Sequence, residues 1–144
     1  MIEFNARLGD PEAINLLAIL KTDFVDVCRH MITGTLRKLP LQFKQQATVV
    51  KYVVPNGYPN DSVKAPIQIN ATSDQYYYGA VTKIDNQLMM TGSRAIAVLG
   101  QANQLADAEK SAQQLAAQIK GPVFYRKDIG TSTLIDRYVR LLYV

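Results

Sequence analysis

The chain has 144 residues, 48% hydrophobic and 19% charged, a composition that supports a packed core and excludes a largely disordered chain. One cysteine and one histidine exclude an internal disulfide framework and a thiolate-imidazole zinc cluster, and point to a reducing, cytoplasmic setting. The net charge of +4 comes from scattered Lys and Arg with no long basic stripe, which suits phosphorylated metabolites and argues against a nucleic-acid partner. No apolar run approaches the roughly 20 residues of a membrane-spanning helix, so no membrane partner is expected.

The opening stretch, "IEFNARLGDPE" from Ile2 to Glu12, reads as a strand and a turn. Side chains alternate along a strand, so Glu3, Asn5 and Arg7 share one face while Ile2, Phe4 and Ala6 share the other. Asp10-Pro11-Glu12 then reads as a helix start, with Asp10 at the N-cap, Pro11 first in the helix and Glu12 at the positive dipole end. Ile14, Leu16, Leu17, Ile19 and Leu20 lack a clean period, which predicts a helix buried on most sides. Asp23 caps a second helix, with Phe24, Val27, Cys28, Met31 and Ile32 on one buried face and Gly34 at its end. Cys28 and His30 read as packing residues of that helix.

From Leu39 the pattern turns to strands. "ATVVKYVV", Ala47 to Val54, is rich in β-branched residues and runs into the rigid turn Pro55-Asn56-Gly57-Tyr58-Pro59. Further strands are predicted at Ile67–Ile69, Tyr76–Ile84, Gln87–Met90 and Arg94–Leu99, with hairpin turns at Asp85-Asn86 and Thr91-Gly92-Ser93. Tyr76 to Tyr78 are read as filling and edging the sheet. A third helix carries Leu105, Ala108, Ala112, Leu115 and Ile119 on one stripe, stops at Gly121-Pro122 and lies against the sheet. "FYRKDIG" is a strand leading into a loop, after which Thr131 or Ser132 caps a last helix bearing Leu134, Ile135, Tyr138 and Leu142.

Glu3 and Asn5 offer a carboxylate and an amide oxygen two residues apart, hard ligands of the kind magnesium takes while it keeps waters and phosphate oxygens. Arg7 beside them could grip a carboxylate or phosphate with two N–H bonds. The plain alternative is an edge strand with a solvated polar face.

Taken together, "EFNARLGDPE", "INLLAIL", "ATVVKYVVPNGYP", "GSRAIAVLG" and "YRKDIG" resemble, in order and over nearly the whole chain, the carboxyl-terminal part of the phosphoribosylamine-glycine ligases. These are also called glycinamide ribonucleotide synthetases and belong to the ATP-grasp superfamily. The resemblance implies an α+β fold: a small antiparallel barrel-like sheet with packed helices, residues 41–144, preceded by the last strand and two helices of an ATP-grasp domain, residues 1–40. It implies that Glu3 and Asn5 hold Mg (or Mn), and that Arg7, Asp10 and Glu12 border the substrate pocket. Arg126, Lys127 and Asp128 fall on the "RKDIG" motif near its phosphoribosylamine end. An exposed loop held by salt bridges is the competing reading of that trio.

The reaction so implied joins glycine to 5-phosphoribosylamine in purine biosynthesis, with ATP as co-substrate. In the family an amino-terminal domain, a lid and most of the ATP-grasp sheet precede the E-x-N strand. The chain is therefore expected to be inactive alone and to need that missing amino-terminal part. One alternative is a non-catalytic assembly module that pairs with a separately encoded ATP-grasp half. Another is the hybrid-motif domain of biotin-dependent carboxylases, against which Gly9-Asp10-Pro11-Glu12 and "RKDIG" both count.

Overall fold

A computed structural model describes residues 6–142. Glu3 and Asn5, on which the expected opening strand and metal site were placed, lie outside the described residues. The chain divides into two compact units, one ending at Gln46 and the other starting at Ala47.

In the first unit α1 spans Glu12–Ile19 and α2 spans Phe24–Ile32. The start of α1 differs from expectation. Pro11 takes the N-cap position, and the Ala13 N–H that an Asp10 side chain would accept goes to the Gly9 carbonyl at 2.9 Å. The expected all-round burial is also absent: no residue of α1 is buried, and Leu16 is 50% exposed. An apolar helix surface predicts burial only where other elements cover it. The α2 start is as expected, with the Asp23 carboxylate accepting from the Val25 N–H at 2.7 Å, but its expected buried face is not covered: Phe24, Met31 and Ile32 are exposed. His30 Nδ1 lies 2.8 Å from Thr35 Oγ1, just past the helix end at Thr33. A bridge between Leu20 and Phe43 folds the rest of the unit back on α1.

The second unit is built on β1, Ala47–Pro55, which pairs antiparallel with β6, Ile96–Ala102, from Ala47↔Ala102 to Val53↔Ile96. With β3, Tyr76–Tyr78, and β8, Val123–Phe124, they form a four-stranded sheet ordered β3-β6-β1-β8. The second four-stranded sheet is ordered β4-β5-β2-β7, from β2 Pro66–Ile69, β4 Val81–Ile84, β5 Gln87–Met90 and β7 Ile119–Lys120. The expected barrel-like sheet is therefore two antiparallel sheets, and the chain steps between them at Gly79-Ala80 and Gly121-Pro122. Among the described residues this α+β unit adds two helices, α3 at Leu105–Ala117 and α4 at Ser132–Leu142.

The core lies between β1, β6 and α3. Val49 and Val53 of β1, Ile96 and Val98 of β6, and Ala108, Ala112 and Ala116 of α3 are buried together. The alanines recur every four residues, so α3 presents a flat stripe that can press close to the sheet. Gly100 of β6 completes the fit, because a Cβ there would fall on the Ala108 carbonyl oxygen and 2.6 Å from the Ala112 nitrogen.

Several elements differ from the pattern predicted. The single strand at 76–84 breaks in two, because the N–H groups of Gly79 and Ala80 bond the carbonyls of Ala95 and Arg94. Thr91-Gly92-Ser93 is not a hairpin turn, since β5 pairs with β2 and β4 whereas β6 pairs with β1 and β3. Ile119 leaves the helix to pair with Ile69 in β7. The strand expected from Phe124 ends at that residue, and Tyr125 to Thr131 form a loop. Asp85-Asn86 is the hairpin turn expected, both residues having positive φ (45° and 65°) between β4 and β5.

Candidate functional site

The long strand β1 separates two environments. Val49, Lys51 and Val53 alternate onto the α3 side, and Tyr52 and Val54 onto the other. Lys51 is fully buried in the middle of this apolar row. Its ammonium donates to Glu109 Oε1 at 2.6 Å and Gln113 Oε1 at 3.0 Å, both on α3, and to the Lys127 carbonyl at 2.8 Å. Because β8 pairs only with Val54 and Pro55, the chain after Phe124 is free to bend over β1 toward that ammonium.

On the other side lies a pocket of about 220 Å³, walled by Tyr52 and Val54 of β1, Tyr58, Arg94, Phe124 and Arg126. Tyr58 comes from the Pro55–Pro59 turn, which the Asn56 N–H ties to the Pro122 carbonyl at 2.9 Å. Gly57 takes φ +78°, and a Cβ there would overlap the Asp61 carbonyl, so the turn closes tightly. The Arg94 guanidinium lies over the Tyr52 ring at 5.2 Å, a cation-π contact that holds a charge at the pocket wall. Two arginines beside three tyrosines and a phenylalanine, counting Tyr125, suit a small anion with a flat or sugar-like body.

The sequence-predicted residues fall into two groups. Arg126 and Asp128 meet in a fork, Nε to Oδ1 at 3.1 Å and Nη2 to Oδ2 at 2.6 Å. Lys127 between them is exposed and contributes its carbonyl to Lys51. The loop is thus exposed and salt-bridged, and Arg126 also lines the pocket. In the first unit Arg7 bonds the Leu8 carbonyl at 3.1 Å, and Arg7, Asp10 and Glu12 are exposed. The Glu12 carboxylate occupies the space a side chain on Gly9 would need. Lys51, Glu109, Gln113, Arg94 and Tyr52 were not singled out from sequence. A charge inside the run "ATVVKYVV" was the available signal for Lys51. Among the described residues no group of three or more His, Cys, Asp or Glu is placed to hold a metal, and no helix is long and apolar enough to cross a membrane.

The fork sets a pH dependence. The Arg126 hydrogen bond holds the Asp128 carboxyl below its ordinary range, and the same contact raises the guanidinium. A carboxyl depressed in the folded state contributes stability above its unfolded pKa, and that contribution is lost as pH falls through the folded value. Asp128 is expected to titrate below an unperturbed aspartate and to return toward it in Arg126→Gln. Carbon-detected NMR of the side-chain carboxyl checks this; an unchanged midpoint in the variant would show that the fork does not persist in solution.

Residues 48–132, more than half of the chain, match the family model described as phosphoribosylglycinamide synthetase, C domain. The chain belongs to this family. It is 47% identical to the phosphoribosylamine-glycine ligase of Methanococcus maripaludis strain C7 over 145 residues, covering 96% of this chain and 33% of that protein. The corresponding ligase of Methanocaldococcus jannaschii is 44% identical over the same shares. The crystal structure of the Thermotoga maritima phosphoribosylamine-glycine ligase superposes with a TM-score of 0.75 at 24% identity, over 89% of this chain and 32% of that one. The chain thus spans about a third of the length of the relatives it matches. The matched segment contains all of β1 but Ala47, the Pro55–Pro59 turn, Arg94, α3 and the Tyr125–Gly130 loop, so the pocket lies within it.

Proposed function

We propose that this chain is the carboxyl-terminal part of an ATP-dependent ligase that joins glycine to 5-phosphoribosylamine in purine biosynthesis, in the cytoplasm. The observation that carries the reading is the pocket, in which Arg126 of the family-matched "RKDIG" loop and Arg94 present two guanidiniums beside aromatic walls. Residues 41–144 act as the carboxyl-terminal domain, and residues 1–40 complete an ATP-grasp domain whose remainder belongs to the amino-terminal part of the ligase. Arg126, Lys127 and Asp128 receive the phosphorylated sugar. Arg7, Asp10 and Glu12 border the substrate pocket of the complete enzyme.

In the reaction ATP phosphorylates the glycine carboxylate, the sugar amine attacks the acyl phosphate, and ADP and phosphate leave. Guanidiniums fixed before the reaction act by positioning and by offsetting charge on the phosphate. Glu3 and Asn5 offer the hard oxygen donors that Mg (or Mn) requires, and the ion when bound would neutralise the nucleotide phosphates.

A second reading, a non-catalytic assembly module that pairs with an ATP-grasp half, draws on a different observation. In the first unit Leu16, Leu17, Phe24, Val25, Met31 and Ile32 are all exposed, at up to 87% for Ile32. Exposed apolar residues in this number on two short helices are what an interaction surface would use.

One experiment separates the readings. The chain is mixed with the amino-terminal two thirds of the Methanococcus maripaludis ligase, ATP, magnesium, glycine and 5-phosphoribosylamine, and ADP release is followed. The ligase reading expects turnover only with both parts present, and none from the chain alone, which should bind ATP no more tightly than about millimolar. A tight complex without turnover supports the assembly module. Micromolar ATP binding by the chain alone overturns the division of labour proposed here.

A further inference from the structure

The ammonium of Lys51 has three N–H bonds, and Glu109, Gln113 and the Lys127 carbonyl use all three. Gln113 does more than accept. Its Nε2–H donates to the Tyr125 hydroxyl at 2.9 Å. One buried charge therefore reaches the residue on each side of Arg126, Lys127 directly and Tyr125 through Gln113. At the end of the loop Gly130, φ +83°, is packed against the Val49 methyls and Glu109 Cγ.

This is more than core stability requires. A buried ion pair is generally no more stabilising than apolar side chains of the same volume. An apolar residue at position 51 would fill the space, but it could not hold the backbone carbonyl of an exposed loop. Arg126 is itself exposed, so its direction depends on the backbone that carries it and on the Asp128 fork.

We infer that Lys51, bridged by Gln113, is the positioning residue that fixes how Arg126 enters the aromatic pocket. Lys51 lies on the opposite face of β1 from Tyr52 and Val54 and does not line the pocket; it acts by keeping the loop ordered before anything binds. Preorganisation of this kind lowers the entropy cost of binding. The consequence for affinity rests on the reading of the pocket as a sugar-phosphate site.

The test uses the full chain labelled with nitrogen-15 as wild type, Lys51→Met and Gln113→Leu. Backbone order parameters are measured, and each protein is titrated with ribose 5-phosphate. In wild type, residues 126–128 are expected in the rigid range, about 0.85, and in Lys51→Met to fall toward about 0.6 while β1, β6 and α3 keep their values. Affinity for ribose 5-phosphate should weaken by up to about tenfold, the cost of ordering one long side chain on binding. Gln113→Leu keeps the ion pair and should loosen Tyr125 and Arg126 to a lesser degree, so it carries the test if Lys51→Met does not fold. Unchanged order at 126–128 in both variants overturns the inference, as does a loss spread evenly over β1, β6 and α3. Failure of wild type to bind ribose 5-phosphate overturns the ligand reading of the pocket, and the order parameters alone then decide the role of Lys51.

Discussion

Gly100→Ala is expected to destabilise the second unit by about 3 kcal/mol or more, although it adds one methyl group. The added carbon would sit on the Ala108 carbonyl oxygen, 2.6 Å from the Ala112 nitrogen and 2.9 Å from the Ala108 carbonyl carbon. All three are helix backbone, so no side chain can rotate away. Relief requires α3 to lift from the sheet, and that opens the contact between Ala108, Ala112 and Ala116 and the valines of β1. Such a cost is a large share of the 5–15 kcal/mol typical of a whole domain. For a unit of about 100 residues it corresponds to a melting temperature lower by about 12 to 24 °C. Thermal unfolding followed by circular dichroism measures it, with the exposed Gln114→Ala as control. A Gly100→Ala protein that melts within about 2 °C of wild type would show that α3 does not press on β6 as described.

What the sequence made legible follows from how local each signal is. The start of α2 was readable because Asp23 caps an N–H two residues away. The span of α3 was readable because Ala108 and Ala112 repeat at helical spacing, and β1 because its run is long and β-branched. The break at Gly79-Ala80 was not, since the carbonyls that take those N–H groups belong to Arg94 and Ala95, a contact set by strand pairing across the unit. Partner choice also explains Thr91-Gly92-Ser93: a turn-like composition fixes a bend but not which strands it joins. The site was partly legible. Arg126 and Asp128 were singled out through the resemblance of "YRKDIG" to a known family; they pair in the fork, and Arg126 lines the pocket. Arg94, Tyr52 and Lys51 were missed because their partners lie far along the chain, 58, 62 and 76 residues away for Lys51. Arg7, Asp10 and Glu12 belong to the first unit, and Glu3 and Asn5 lie outside the described residues. Their roles remain part of the proposal.

The same network gives the second large effect. Lys51→Met should cost about 3 kcal/mol, the lower end of the range for breaking a buried ion pair. The methionine fills the aliphatic volume, so little cavity forms, and the loss comes from Glu109, which keeps its charge without a partner. Glu109 is 19% exposed, so water reaches it and softens the penalty. Glu109→Leu alone should cost more, about 4 to 5 kcal/mol, because the ammonium it strands has no exposed surface at all. Combining the two removes both charges. Gln113 can still donate to Tyr125, and the carbonyl of the exposed Lys127 can turn to solvent. The double variant should therefore lie within about 1 kcal/mol of wild type, a coupling well above the roughly 0.5 kcal/mol expected of independent sites. Urea unfolding of the four proteins measures this. If the double variant loses the sum of the two single losses, Lys51 and Glu109 are independent, and the buried charge cannot be what ties the loop to α3. If stability recovers in the double variant while the 126–128 segment stays loose, the lysine is retained for loop order and not for stability. That is the separation a positioning role requires.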